Sequence, residues 1–374
     1  MARFCVLVLL AALLAGCSGG SSASTPVPVP SPSAAVLVPT VFTFQLPPQT
    51  SSSSARRPEY ITANIESVRI VLDTVNGNAP PGGLTTSVTT NLTLSSCPCA
   101  VPGPQVPPGT DVFTITTYDA QSGGGNVVST ASPSYTIVAG AANSHTVTLD
   151  GVPASFTISG LPSGTAGTAF GTPQSFTLSV KDADNNVIIG TYANSVTISD
   201  SDTSSLTEGT ALAVNGGNAA TSVTSTSSSD TFTLSYGGLA IAPATLTASA
   251  SGATSGTATF TPTLQPIVYT PGSGANGSGQ EIDFYATSGT GSSGSFTVSE
   301  VGFSNSPYDE SFTESLGSGC STIATASPSS GTTFTATAVG SPSAGSCTLS
   351  VADGGLHSAL SVTLTYTTYS FGVN

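Results

Sequence analysis

Short segments in which apolar residues alternate with serine or threonine recur along the chain. Six of them share one five-residue pattern: VFTIT at 112, SFTIS at 155, SFTLS at 175, TFTLS at 231, SFTVS at 295 and TFTAT at 333. A period of two places successive side chains on opposite faces of a strand, so each segment predicts a strand with one buried face. In SFTLSV the inward residues are expected to be Phe176, Leu178 and Val180.

The same alternation occurs in SVRIVLD and in ALSVTLTY. The core residues that these two segments predict are Val68, Ile70, Leu72, Leu360, Val362, Leu364 and Tyr366. Turn sequences such as VNGNAPPGG, QSGGGN, KDADNN and NGGN separate the predicted strands. No window combines a helical period with helix caps. Many short strands at this spacing predict an all-β chain of antiparallel β-sandwiches.

The proline-containing segments LDGVPASF and FTPTLQPIVYTPG divide the strands into three groups. We therefore predict β-sandwich domains at 36–153, 154–264 and 265–374. Each contains about 110 residues, the size of an immunoglobulin-type sandwich. A Ser/Pro-rich linker at 17–35 precedes them, and a signal peptide is predicted at 1–16.

Two longer segments carry a resemblance to a known family. SFTLSVKDADNNVIIGTYANSVTIS resembles the strand–acidic turn–strand unit of tandem bacterial Ig-like proteins, and CTLSVADGGLHSALSVTLTY resembles the last hairpin of such a domain. The resemblance implies tandem Ig-like sandwiches and a role at the cell surface. Because the chain has no tryptophan, it lacks the buried Trp of antibody domains, and the resemblance is to the architecture.

The N-terminus has the features of an export signal. Arg3 precedes a 12-residue apolar run at 4–15, which is shorter than the roughly 20 residues that span a bilayer. The run ends in Leu-Ala-Gly-Cys, which resembles the lipobox of bacterial lipoproteins. That resemblance implies cleavage before Cys17 and a lipid on its thiol, and Ser18 implies an outer membrane or cell-surface location. The alternative is an ordinary signal peptide that contains a cysteine.

Charge excludes one class of partner. Only 6% of the 374 residues are charged, the net charge is −14, and the basic residues number five. A surface that neutralises nucleic-acid phosphates needs clustered Lys and Arg, so nucleic acid is not expected as a partner. No later segment approaches a transmembrane span, and the lipid on Cys17 would be the only membrane anchor.

Catalytic motifs are absent around the two histidines. His145 lies in a predicted strand and His357 in a predicted turn, and neither is part of Gly-x-Ser-x-Gly or His-Glu-x-x-His. A glycosidase needs two facing carboxylates. The acids in SEVGFSNSPYDESFTES offer such a pair or, alternatively, form a solvated loop; they are Glu300, Asp309, Glu310 and Glu314. We expect no enzyme activity and no cofactor.

Two acidic turns are candidates for calcium binding. Asp182 and Asp184 lie in KDADNN, and Asp200 and Asp202 lie in SDSDTSS. Calcium takes six to eight oxygen ligands, which alternating Asp and Asn residues can supply. The EF-hand pattern fails in KDADNN, and the alternative for both segments is an Asx-type turn at a loop tip. We therefore predict no metal site and keep these four residues as weak candidates.

The cysteines predict one core disulfide. Cys5 lies in the signal and Cys17 in the lipobox, whereas Cys320 and Cys347 lie in strand-like segments of the third domain. Cys347 has the parity of Leu349 and should point into the core, so we predict a Cys320–Cys347 bridge in an exported protein. Cys97 and Cys99 flank one proline, and a local loop clamp or a redox role is open for them.

Two functions remain from the sequence. The first is a non-enzymatic, lipid-anchored surface protein that acts as a stalk or adhesive binding module for a surface glycan or protein. The second is an extracytoplasmic carbohydrate-binding accessory or hydrolase with a site in its loops. In the third domain Phe303, Tyr308 and Phe312 accompany the acidic segment, and they are expected either to contact a partner or to belong to the core.

Overall fold

A computed structural model describes most of the chain after the linker. The described residues are 36–44, 64–93, 99–275, 279–285, 292–302, 312–354 and 359–368. The predicted signal peptide, the linker and Cys17 lie outside them. Within the described part of the chain, the regular structure is β-strand with two short 3₁₀ turns, Gln121–Gly123 and Cys320–Thr322. The prediction of an all-β fold is confirmed.

The strands form three β-sandwiches along the chain. The strands of the first sandwich are β1 (Thr40–Phe44), β2 (Ser67–Val75), β3 (Ser87–Asn91), β4 (Cys99–Pro102), β5 (Gly109–Tyr118), β6 (Val127–Ala131), β7 (Ser134–Ile137) and β8 (Asn143–Val147). A two-residue strand, β9 (Asp150–Gly151), follows. The sheet β4-β1-β8 packs over the sheet that contains β3, β2, β5 and β6, with β7 paired to β5.

The second sandwich follows directly. Its strands are β10 (Ser155–Ser159), β11 (Gln174–Lys181), β12 (Thr191–Asp200), β13 (Thr210–Val214), β14 (Ser222–Ser227), β15 (Phe232–Tyr236), β16 (Ala244–Ser249) and β17 (Gly256–Phe260). One sheet has the order β10-β11-β15-β13, and the other contains β17, β16 and β12, with β14 also paired to β12.

The third sandwich contains the remaining strands. They are β18 (Val268–Pro271), β19 (Glu281–Tyr285), β20 (Ser293–Ser299), β21 (Phe312–Leu316), β22 (Ala324–Ser327), β23 (Ser330–Gly331), β24 (Thr333–Ala338), β25 (Gly345–Ala352) and β26 (Leu360–Thr367). Its sheets have the orders β18-β20-β24-β22 and β19-β26-β25-β21-β23.

Each sandwich has its own hydrophobic core. The buried residues of the three cores fall within 38–149, 156–260 and 267–366 and share no member. The domain boundaries after 153 and 264 remain predictions.

The alternating pattern produces these cores as predicted. All six Phe-Thr segments lie in strands, namely β5, β10, β11, β15, β20 and β24. Phe113, Phe296 and Phe334 are fully buried, while their Thr neighbours face outward or are half-buried. The surface thereby obtains its polarity from hydroxyl groups, which explains how the chain folds with so few charges.

The structure corrects two details. Strand pairing is mainly antiparallel, yet β1 pairs with β8 and β19 pairs with β26 in parallel. In both cases the early strand joins the sheet of the last strand in its sandwich. Cys320 begins a 3₁₀ turn rather than a strand, and the strand β22 begins only at Ala324.

The strand β9 joins the first two sandwiches. Gly151 pairs with Ser129 of β6 and with Tyr192 of β12. Asp150 also accepts a hydrogen bond from the hydroxyl of Thr191. A sheet of the first sandwich therefore continues into a sheet of the second and forms one sheet of ten strands.

Candidate functional site

The KDADNN segment forms a tight turn after β11. Asp182 is buried, and its Oδ1 accepts a hydrogen bond from the backbone N–H of Asn186 at 2.8 Å. Asn185 adopts a positive φ of 66°, which asparagine tolerates, and its Oδ1 accepts a bond from Lys181 Nζ at 3.0 Å. These bonds are those of an Asx-type turn, in which Asp182 stabilises its own loop.

Asp184, in the same turn, contacts the first sandwich. Its carboxyl group lies close to the side chains of Asp119 and Asn64. Burial raises the pKa of Asp184, and the charge of Asp119 raises it further. Burial also acts to raise the pKa of Asp119, but hydrogen bonds from Asn126 outweigh this effect and lower it. The two turns therefore bring the Asp119 and Asp184 carboxyl groups close together.

The SDSDTSS segment forms a second closed loop, between β12 and β13. Asp202 accepts hydrogen bonds from the backbone N–H groups of Ser204 at 3.0 Å and Thr210 at 2.7 Å. Asp200 accepts bonds from the N–H of Asp202 at 3.0 Å and the hydroxyl of Thr210 at 2.6 Å. Both aspartates therefore hold the loop that connects two strands.

Burial has different outcomes for these two carboxyl groups. It raises the pKa of Asp200, and the hydrogen bonds there only partly compensate. Burial acts in the same direction on Asp202, but its bonds from Ser204 and Thr210 are stronger in sum and lower its pKa. Among the described residues, no group of three or more His, Cys, Asp and Glu side chains is positioned to hold a metal ion.

His145 lies in β8 beside an aromatic group of the first sandwich. Its ring stacks on Tyr135 with centroids 4.1 Å apart, and Phe42 lies 6.1 Å away. Burial lowers the pKa of His145, and its buried Nε2 has no hydrogen-bond partner. The ring thus packs as a neutral aromatic group on a strand, and the prediction that His145 lies in a strand is confirmed. His357 lies outside the described residues.

Only part of the acidic segment of the third sandwich lies among the described residues. Phe312 in β21 is fully buried, which agrees with the alternative that places it in the core. Glu300 is buried as well, which excludes the solvated loop predicted for it. Burial raises the pKa of Glu314, which is half-buried. Phe303, Tyr308, Asp309 and Glu310 lie outside the described residues.

The predicted core disulfide is present. Cys320 and Cys347 are joined, with Cα atoms 5.3 Å apart, and both are buried. Cys347 faces the core with Leu349, as the alternation in β25 requires. Cys99 in β4 is also disulfide-bonded. Cys97 lies outside the described residues.

No helix in the described ranges has the length and apolarity needed to cross a membrane. Membrane attachment through a lipid on Cys17 remains a prediction.

Comparison with known proteins yields structural neighbours alone. No protein-family model matches the chain, and no curated protein matches it. Domains 4–9 of the surface layer protein SbsC align over 82% of this chain and 48% of theirs, with 16% identity and a TM-score of 0.21. The bacterial integrin-binding protein invasin aligns over 89% of this chain and 60% of its own, with 17% identity and a TM-score of 0.23.

A three-Ig fragment of titin aligns over 83% of this chain and 89% of its own, with 9% identity and a TM-score of 0.24. The chain thus spans about half of the SbsC fragment and less than two thirds of the invasin structure. These proteins, like this chain, contain β-domains in tandem. At such low TM-scores the likeness carries no argument about function.

The sequence missed the contact between Asp184 and Asp119. Both residues were visible in turn segments, KDADNN and DAQSGGGN, but they are 65 positions apart (184 − 119). Nothing in the local pattern indicates that these two loops meet, because their approach depends on the pairing of β9 with β6 and β12.

Proposed function

We propose that this chain is a non-enzymatic surface protein, attached to the membrane through a lipid on Cys17, whose sandwiches act as a spacer or adhesive module. The observation that carries the proposal is the order of its parts. A lipobox-like sequence and a Ser/Pro-rich linker precede three β-sandwich cores in series. The third sandwich is then the one farthest along the chain from the anchor.

The outward faces of the strands are consistent with exposure outside the cell. They present Ser and Thr hydroxyls, while each core is apolar and the third contains a disulfide. Structural disulfides persist in oxidising, extracytoplasmic environments. These features support an exported protein and favour the outer membrane or cell surface as its location.

Replacing Cys17 with alanine is expected to release the protein from membranes. Stable attachment requires more than one acyl chain, which lipidation at this thiol would supply. We expect at least about a tenfold fall in the membrane-bound fraction on cell fractionation, because no second anchor is proposed. Mass spectrometry of the wild-type N-terminal peptide should find the lipid on Cys17. An unmodified N-terminus at another residue would contradict the anchor.

Removing residues 265–374 is expected to abolish surface binding and leave membrane attachment intact. The deletion removes the whole third core, which shares no buried residue with the other two cores. Binding of the full chain and the deletion variant is compared on glycan and protein arrays. Binding that survives the deletion would place the contact in the first two sandwiches. Hydrolysis of an arrayed glycan would favour the alternative function, a carbohydrate-active accessory or enzyme.

A further inference from the structure

The turn Val301–Gly302 links the third sandwich to the second. It follows β20, a central strand of the third sandwich. The carbonyl of Gly302 accepts a hydrogen bond of 2.9 Å from the backbone N–H of Ala240. Ala240 lies between β15 and β16 of the second sandwich and is 7% exposed. A buried backbone hydrogen bond therefore crosses from one sandwich to the other.

The turn packs against two loops of the second sandwich, which contain Gly167 and Gly238. The N–H of Gly167 donates to the carbonyl of Gly238 at 2.7 Å, which holds the two loops side by side. Nearby, the N–H of Ala166 donates to the carbonyl of Thr263 at 2.9 Å. Thr263 begins the segment that leads into the third sandwich. The receiving surface is thus tied to the connection between the two sandwiches.

The contact leaves no space for a side chain at Gly302. A Cβ on Gly302 would lie 2.5 Å from the N atom of Gly167 and 2.6 Å from the carbonyl oxygen of Gly238. Both are backbone atoms within a hydrogen-bonded pair, so neither can move aside without breaking that bond. The close approach of two backbones is the condition that glycine alone satisfies.

A side chain on Gly167 of the second sandwich would also meet the turn of the third, here at the side chain of Val301. A Cβ on Gly167 would lie 2.1 Å from Cγ1 of Val301. Gly167, Gly238 and Gly302 also have positive φ angles of 84°, 94° and 92°. Gly167 and Gly302 therefore serve both the local turns and the approach of the two sandwiches, whereas a Cβ on Gly238 would meet Thr168 and Ala169 of its own sandwich at 3.0–3.1 Å.

We infer that Gly167, Gly238 and Gly302 form a glycine latch that fixes the third sandwich on the second, so that this joint is a locked contact rather than a hinge. A backbone hydrogen bond weakens steeply once its geometry is lost, and close-packed surfaces do not deform gradually. A Cβ on Gly302 would have to move by about 0.9 Å to reach an ordinary contact distance of 3.4 Å from the N atom of Gly167 (3.4 − 2.5), and a shift of that size is enough to break the 2.9 Å bond to Ala240. The inference concerns the joint alone and holds whatever the chain binds.

Amide hydrogen exchange at Ala240 reports the latch directly. In the full chain, Gly302→Ala is expected to accelerate exchange of the Ala240 N–H by at least about tenfold, because the bond across the joint is lost. Slow exchange of Phe296 and Phe334, measured in the same NMR experiment, verifies that the third core stays folded.

Gly319→Ala is the matched control. Gly319 belongs to the same sandwich and has a φ of 88°, close to that of Gly302, but a Cβ there would meet nothing within 4 Å. The control thus adds the same backbone strain without the contact. It should leave exchange at Ala240 unchanged. Equal acceleration by both variants would overturn the latch, because strain alone would then explain the effect.

Gly167→Ala tests the latch from the second sandwich, with Gly160→Ala as its control. Gly160 also has a positive φ, 71°, and open space around its Cβ position.

Fluorescence energy transfer measures how the two sandwiches are held relative to each other. A donor and an acceptor fluorophore are placed at the exposed Thr224 of the second sandwich and the exposed Thr363 of the third. Gly302→Ala and Gly167→Ala should each broaden the distance distribution, and the two controls should not. An unprotected Ala240 amide or a broad wild-type distribution would also refute the inference.

Discussion

At pH 8, Asp111→Asn is expected to raise the free energy of unfolding of the first sandwich by about 3 kcal/mol, whereas at pH 4 the gain should fall below about 0.5 kcal/mol. Asp111 lies in β5 and is fully buried, and neither carboxyl oxygen has a hydrogen-bond partner. Its cross-strand neighbours are Val75 and Tyr135. Burial raises its pKa to about 6.

The sign follows from proton linkage. Because the pKa of Asp111 is higher in the folded state than in the unfolded chain, the folded state binds the proton more tightly. The contribution of Asp111 to stability is therefore greatest below about pH 4, declines as the pH rises to about 6, and is constant above that. Asparagine keeps the shape of the side chain but does not ionise, so the variant avoids the cost of a buried charge.

Urea denaturation at the two pH values measures the effect, with hydrogen-exchange mass spectrometry of β5 peptides identifying the first sandwich. Glu66→Gln is the control, because it removes an exposed charge from the same sandwich. The difference in the free energy of unfolding between Glu66→Gln and wild type should be similar at pH 4 and at pH 8. Parallel stability curves for wild type and Asp111→Asn would show that the buried carboxyl does not govern the pH dependence.

The double variant Cys320→Ala/Cys347→Ala is expected to destabilise the third sandwich by roughly 3–4 kcal/mol. The cysteines are 27 positions apart, so the bridge closes a loop of 28 residues when both ends are counted (27 + 1). Closing such a loop restricts the unfolded chain far more than the folded one. Both cysteines are buried, and the bridge joins the 3₁₀ turn before β22 to β25.

Thermal and urea unfolding of the double variant should be compared with those of wild-type protein under reducing conditions. Both proteins are measured reduced, because reduction also opens the disulfide of Cys99, and the difference between them then isolates the small cavity that alanine leaves. Non-reducing peptide mapping checks the pairing itself. Equal stability of the oxidised and reduced wild-type protein would remove the role assigned to this disulfide.

The sequence predicted the strands well because their signal is local. In β2, for example, Val68, Ile70 and Leu72 had to face one side of the sheet, and all three are buried. The same holds for Leu360, Val362 and Leu364 in β26. Period-two alternation fixes which face of a strand is apolar, and burial of that face drives folding.

The candidate sites were less predictable, because they depend on which loops meet. Asp182 and Asp184 are two residues apart, yet one closes its own turn and the other contacts Asp119 of the first sandwich. Phe312 follows the same alternation as a core strand, but its acidic surroundings also allowed a surface contact. Its burial was decided by the pairing of β21 with β25.

Sequence alone thus determined the all-β class, the inward faces of the strands and the Cys320–Cys347 bridge, because each follows from alternation along one strand or from the parity of a cysteine. Tertiary structure decided the joints: the strand β9 shared by two sheets, and the close approach of Gly302 to Gly167 and Gly238. A glycine in the sequence indicates only that a side chain is absent. Whether that absence allows a turn or the contact of two sandwiches depends on the backbone that packs against it.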